Sequence, residues 1–176
     1  MRIEPWTPAR APRNEDLVKA IEARRGGALY NLDRMLLWSE PLARGWNVYL
    51  RALRQELSLQ PFVRELAICV VARLTGAEYE YHHHAPELKK AGATDEQLAA
   101  LDDPDIAAIS EHFDDLQHAV IRFAIASTRD VQVPDPVFGS LRKRLSETEV
   151  VELVAVTAAY NMVARFLVAL KVTPES

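Results

Sequence analysis

The sequence predicts an all-α protein, an orthogonal helical bundle assembled as an oligomer. Apolar residues recur at three- and four-residue steps along most of the 176 residues, the spacing that lines one face of a helix. Helix start and stop signals punctuate those runs, with capping-box patterns before them and Gly after them. No stretch reads convincingly as a strand.

Taken in order, residues 1–13 hold three of the ten prolines and little periodicity, which reads as an extended arm that packs on the body or on a partner subunit. Residues 14–176 read as one domain. Asn14 is a plausible N-cap for a helix through Leu17 and Ile21 that stops at Gly26-Gly27. A second helix covers about Tyr30 to Trp38. A third follows Ser39, with Pro41 in its first turn and Leu42, Trp46, Leu50, Leu53 and Leu57 on one face. A fourth runs from Pro61 to about Gly76, buried along Phe62, Leu66, Cys69, Val70 and Leu74, with Arg64 and Arg73 outside that stripe. Thr75 with Glu78 forms a capping-box pattern for a fifth helix, Ala77 to Lys90, in which Pro86 should cause a kink. Two further boxes, Thr94 with Gln97 and Ser146 with Glu149, open a short helix and the long last one. Between them fall a helix from about Ser110 to Thr128 and a short one around Phe138 to Leu145. The last helix, Val150 to Leu170, is apolar on nearly every side and predicts burial by the domain, by other subunits or by both.

Composition narrows the function classes. There are 25 acidic and 21 basic residues, for a formal charge of -4, and no long basic run, so no footprint for a phosphate backbone exists. Nucleic acid is not expected as a partner. Arg2, Pro5, Trp6 and Pro8 occupy the place of a signal-peptide apolar core, which makes the cytoplasm the expected location. The longest charge-free stretch, Leu153 to Ala164, falls short of the roughly 20 residues a bilayer span requires, so no membrane span is expected. The lone Cys69 excludes an intrachain disulfide, a thiolate metal cluster and a dithiol redox centre.

The chemistry-bearing stretch is Arg64-Glu65, then Gly76-Ala-Glu-Tyr79-Glu80-Tyr81-His82-His83-His84, then Ala91-Gly92. Glu80 and His84 are four apart on a helix, so the carboxylate can orient the imidazole as a general acid/base pair. On one straight helix Glu65 would sit about 28 Å from His84, at roughly 1.5 Å per residue. They share a pocket only if the chain folds back near Gly76 or the two meet across subunits. The bland alternative is a surface helix rich in His, Glu and Tyr. Three adjacent histidines point about 100° apart on a helix and cannot all bind one ion. A metal held by Glu80 with His84, or by His82 with a remote acid, stays open, although no HExxH pattern occurs and no metal or cofactor is expected. Cys69 lies on an apolar stripe, as a small buried hydrophobe would. Asn161 and Arg165 lie one turn apart on an apolar helix. They form either a structural bridge or, through Arg165, a clamp for a substrate carboxylate.

These residues resemble the signature of the carboxymuconolactone decarboxylase and AhpD-type alkylhydroperoxidase superfamily, an upstream glutamate, Gly-Cys-x-x-Cys-x-x-x-His and a downstream Ala-Gly. Glu65 and His84 match its glutamate and histidine, while Ala77 and Glu80 stand at its two cysteine positions. The similarity extends to Arg25-Gly-Gly-Ala-Leu-Tyr-Asn-Leu-Asp33, Ser39-Glu-Pro-Leu-Ala-Arg-Gly-Trp46 and Tyr160-Asn-Met-Val-Ala-Arg165. The Tyr-Glu-Tyr-x-x-His form is similar to the cysteine-free, decarboxylase-like members.

The resemblance implies an AhpD-like fold in a homo-oligomer (dimer, trimer or hexamer) and a pocket for a small-molecule substrate. It also implies cofactor-free acid/base chemistry on a small organic acid or lactone, as in a decarboxylase or related lyase. The implied catalytic residues are His84, Glu80 and Glu65, with His84 as proton donor and Glu80 or Glu65 setting its charge state. Tyr79, Tyr81, His83 and Arg165 are the implied substrate-binding residues. The alternatives are a peroxidase-related redox protein using Cys69 or a partner thiol, and a non-catalytic oligomeric binding protein of the same fold.

Overall fold

The computed structural model describes residues 1–175. Among them every regular element is a helix: α1 (Glu15–Arg25), α2 (Asn31–Leu36), α3 (Glu40–Gln55), α4 (Pro61–Thr75), α5 (Glu78–Lys90), α6 (Asp95–Ala100), α7 (Pro104–Ala107), α8 (Asp115–Arg129), α9 (Asp135–Arg142) and α10 (Glu147–Leu170). The chain divides into two compact units, Met1–Leu57 with the residues from Ala169 on, and Ser58–Val168.

In the first unit α1 and α2 each pack on α3. Asn14 caps α1 by accepting the Leu17 amide at 3.0 Å, and Gly26 ends it in the left-handed conformation, which residues with a Cβ rarely adopt. The N-terminal segment packs onto this unit. Trp6 is buried and donates its indole N–H to Ala11 O, while Arg2 bonds the carbonyls of Ala169 and Leu170. At the heart of the unit Asp33 accepts from Arg24 (3.2 Å) and from Arg25 through Nε (2.8 Å) and Nη2 (3.0 Å). Arg25 also lies over the Tyr30 ring. On α3 the buried face is Ala43, Trp46, Leu50 and Leu53, whereas Leu42, expected on it, is 42% exposed. Residue 42 sits four before Trp46, but the stripe instead runs 43, 46, 50, 53.

The second unit is built around α4, buried along Val63 and from Glu65 to Ala72 because α5, α7 and α8 all pack on it. Each of its large aliphatic side chains contributes about 1.5–3 kcal/mol by leaving water. The capping boxes Thr94/Gln97 and Ser146/Glu149 form as expected. The box expected from Thr75 and Glu78 does not. Thr75 lies inside α4 and its hydroxyl donates to Val71 O at 2.7 Å, so α5 begins after Ala77 without a side-chain cap. The helix expected from Ser110 starts at Asp115, behind a box made by Asp114 with Gln117. Gln97 and Gln117 then bond each other at 3.1 Å, tying α6 to α8 through their caps.

α10 extends well beyond its charge-free core. It spans 24 residues and is, by length and composition, long and apolar enough to cross a membrane. Half of that stretch is buried within the protein, as in a core helix, while Val151, Val154, Ala158 and Met162 are exposed at three- and four-residue steps.

Candidate functional site

The site arises where α4 turns into α5. Gly76 takes φ 65°, ψ 27°, a region open to glycine without a Cβ penalty. The Ala77 amide closes the turn on Ala72 O at 2.9 Å. The reversal lays α5 back on α4 and brings together residues 19 apart in sequence: His84 Nδ1 stands 2.6 Å from Glu65 Oε2. The other oxygen, Oε1, accepts from Arg64 Nε at 3.0 Å. Glu65 and His84 are only 3% and 5% exposed. The chain fold-back that the spacing required is therefore present within one chain.

Burial pushes the Glu65 carboxyl upward, but the hydrogen bonds and charges of His84 and Arg64 outweigh it and hold the pKa below the ordinary glutamate value. Glu65 is thus an ionised acceptor, which places the hydrogen on His84 Nδ1. The edge of the His84 ring meets Tyr160 of α10 at 4.9 Å between centroids.

Glu80 does not orient His84, contrary to the reading of their four-residue spacing. That position is taken by Glu65 from the neighbouring helix, and neither Glu80 oxygen has a hydrogen-bond partner among the described residues. With the side chain 2% exposed, desolvation raises its pKa well above 4.5, so burial favours the protonated form of Glu80. Its folded pKa exceeds its unfolded one, so stability is full below the unfolded value and falls as pH rises, by about 1.4 kcal/mol per pH unit until the folded pKa is reached. Glu80→Gln should remove this decline. Thermal unfolding of the variant between pH 5 and 8 is expected to be flatter than that of the native protein, with Tm gained at the alkaline end. An equal slope would mean that Glu80 ionises freely.

Cys69 is fully buried. Desolvation, with the Glu65 and Glu80 carboxylates, raises its thiol pKa well above 9.0, the reverse of what a nucleophilic thiolate needs. Tyr79 is buried against His83, 4.5 Å between ring centroids, and His82 meets His83 edge-on. Tyr81 is half-buried under the Arg73 guanidinium, which is itself paired with Asp102, a structural setting. Arg165 is exposed and donates to both the backbone and the side-chain oxygen of Asn161 at 3.0 Å. Asn161 in turn bonds Thr128 and Thr157, so the Asn161–Arg165 pair makes the structural bridge. Among the described residues no three His, Cys, Asp or Glu side chains gather as a metal cluster.

Two residues of this geometry are quoted in the sequence analysis without a role. Arg64 was placed outside the buried stripe, although its adjacency to Glu65 was visible. Tyr160 opened a motif quoted for Asn161 and Arg165, and a tyrosine on an apolar helix was the available signal.

Residues 40–111 match the carboxymuconolactone decarboxylase family model. No curated protein sequence matches the chain. Among solved structures, the alkylhydroperoxidase AhpD core of an uncharacterized peroxidase-related protein from Ralstonia eutropha JMP134 superposes with a TM-score of 0.82 at 17% identity, over 99% of this chain and 92% of that one. An uncharacterized peroxidase-related protein from Silicibacter sp. TM1040 gives 0.79 at 17% identity, over 94% and 88%. A cysteine-to-alanine variant of the debrominase Bmp8, in complex with 2,3,4-tribromopyrrole, gives 0.75 at 19% identity, over 98% and 90%. At these identities the likeness shows a shared fold. Over residues 40–111 the chain is similar to the carboxymuconolactone decarboxylase family, and its all-helical fold is that of the AhpD-like structures.

Proposed function

We propose that this protein is a cofactor-free acid/base enzyme, a decarboxylase or related lyase acting on a small organic acid or lactone. The observation that carries the reading is the buried 2.6 Å Glu65–His84 pair, with the buried, unpartnered Glu80 one helical turn before His84. Two carboxyl groups whose environments push their pKa values apart supply one ionised and one protonated group at the same pH. Glu65 fixes the tautomer and favours the charged form of His84. In a decarboxylation the bond to the leaving carboxylate breaks, carbon dioxide departs and the electron pair stays behind as an enolate. Glu80 donates a hydrogen bond to the enolate oxygen, and His84 delivers the proton from Nε2 to carbon.

A thiol-dependent reaction is the second reading, supported by the peroxidase-related and debrominase proteins that share the fold. Against it stand Ala77 and Glu80 at the cysteine positions and the buried, high-pKa Cys69. The test assays native protein, His84→Ala and Cys69→Ser on muconolactones, β-keto acids, organic peroxides and halogenated pyrroles, with and without a thiol reductant. Turnover of an acid or lactone that His84→Ala abolishes supports the proposal. Reductant-dependent loss of a peroxide or halide that Cys69→Ser blocks overturns it.

The homo-oligomer belongs to the same proposal. Its support is the exposed stripe of Val151, Val154, Ala158 and Met162 on α10, an apolar face of the kind that subunits cover. Sedimentation velocity should find more than one copy per particle, and Met162→Lys should shift the distribution toward the monomer.

A further inference from the structure

The α8 helix packs on α4 and α7 and also carries α9. Between α8 and α9 opens a cleft of about 320 Å³, with His118, Arg122 and Arg144 at its polar side and Ala119, Pro136 and Val137 as its apolar wall. Of its two guanidiniums, one is balanced by a carboxylate of the protein. Arg144 is held in place by Asp115 at 2.9 Å and by the Ser140 carbonyl at 3.2 Å. Arg122 directs Nε and Nη2 to one acceptor, the Ala108 carbonyl, at 3.3 and 3.0 Å. Among the described residues it has no ion-pair partner, and its second amino group is unused. His118 donates from Nε2 to Ser110 O at 2.9 Å, since a carbonyl can only accept, and Nδ1 remains for another partner. Asp115 is the one lining carboxylate, and it is already engaged by Arg144.

We propose that this cleft is a binding site for a small organic anion, a carboxylate or phosphate group carried on a short apolar body. The guanidinium donors of Arg122, pre-set by the Ala108 carbonyl, offer the planar geometry that carboxylate and phosphate oxygens match. The volume lies at the lower end of small-molecule sites, which run from about 300 to 1,000 Å³. It equals roughly ten water volumes, so an inorganic anion alone leaves the Ala119, Pro136 and Val137 wall uncovered. The site is separate from Glu65, Glu80 and His84, none of which lines it.

The experiment titrates the full-length protein with benzoate, phenyl phosphate, neutral benzamide and inorganic phosphate, by heteronuclear NMR and calorimetry. Saturable binding of benzoate or phenyl phosphate, with shifts confined to α8 and α9, is expected. The tighter of the two identifies the head group. Benzamide should bind at least about tenfold more weakly, the loss of one charge-assisted contact. Arg122→Gln should weaken binding by about the same factor. Because that change also removes a bond to Ala108, a second variant, Val137→Glu, leaves every hydrogen bond in place and puts a carboxylate into the cleft. It should abolish binding while unfolding at an unchanged temperature. Absence of saturable binding, equal binding of benzamide and benzoate, or binding indifferent to Val137→Glu would each overturn the proposal. Inorganic phosphate binding as tightly as phenyl phosphate would refute the apolar body.

Discussion

His84→Ala is expected to lower turnover by about two to four orders of magnitude, the usual contribution of a positioned general acid or base. The loss should fall on kcat and on kcat/KM alike, because proton delivery occurs only in the transition state and the deleted ring adds little to ground-state binding. The same substitution strips Glu65 of one of its two partners, leaving the Arg64 contact at 3.0 Å. Breaking a buried pair by removing one member destabilises by about 3–5 kcal/mol when nothing replaces it, and Arg64 should keep the effect at or below the lower figure. Glu65→Gln separates the two consequences. It retains a hydrogen-bond acceptor for His84 Nδ1 while removing the charge that favours imidazolium, so activity should drop with less loss of stability. The native pair also fixes the sign of the acid response. Glu65 is held below its ordinary pKa of 4.5, so the stability it contributes is present above that value and is lost as pH falls through the lower folded pKa. A His84→Ala protein of native activity on every substrate that the native protein turns over would remove the acid/base proposal.

Asp33→Asn is expected to destabilise the first unit by about 3–5 kcal/mol, the largest structural effect of any single change considered. Asp33 is 1% exposed and receives two buried guanidiniums, whose side chains are only 7% and 10% exposed in Arg24 and Arg25. It also accepts the Tyr30 amide at 3.1 Å, at the start of α2. Asparagine preserves the shape and the amide contact but leaves two positive charges out of water with no counter-charge, and Arg25 retains only the Tyr30 ring as a favourable neighbour. Urea unfolding followed by circular dichroism measures the loss. A change under about 1 kcal/mol would show that the arginines turn out to solvent when Asp33 is neutralised.

The helices were legible where a local rule acted alone. Asn14 and Gly26 bracket α1, and the Thr94/Gln97 and Ser146/Glu149 boxes form because each joins a side chain to a backbone group three residues away. Thr75 with Glu78 has the same spelling and fails, since Thr75 is still within α4 and bonds back to Val71. The start of α8 lies at Asp115, where Asp114-x-x-Gln117 carries the signal, and Phe113 ahead of it falls in step with the helix's apolar residues. Leu42 shows the same limit on α3, where periodicity alone allowed two neighbouring stripes.

The sequence alone was enough for the all-helical class, the resemblance to the carboxymuconolactone decarboxylase family, the absence of a cysteine pair and the naming of Glu65, Glu80 and His84. The class and the Glu80–His84 pair follow from residue types at short spacing, and Glu65 enters through the resemblance. Tertiary structure decided which carboxylate holds the imidazole and which stays protonated. Glu80 and Glu65 are chemically identical, and four-residue spacing favoured Glu80. The reversal at Gly76 gave His84 to Glu65, placed Arg64 behind it and buried Glu80 without a partner. The charge state of a carboxyl group depends on its desolvation and on neighbours remote in the chain, and neither exists until the helices have packed.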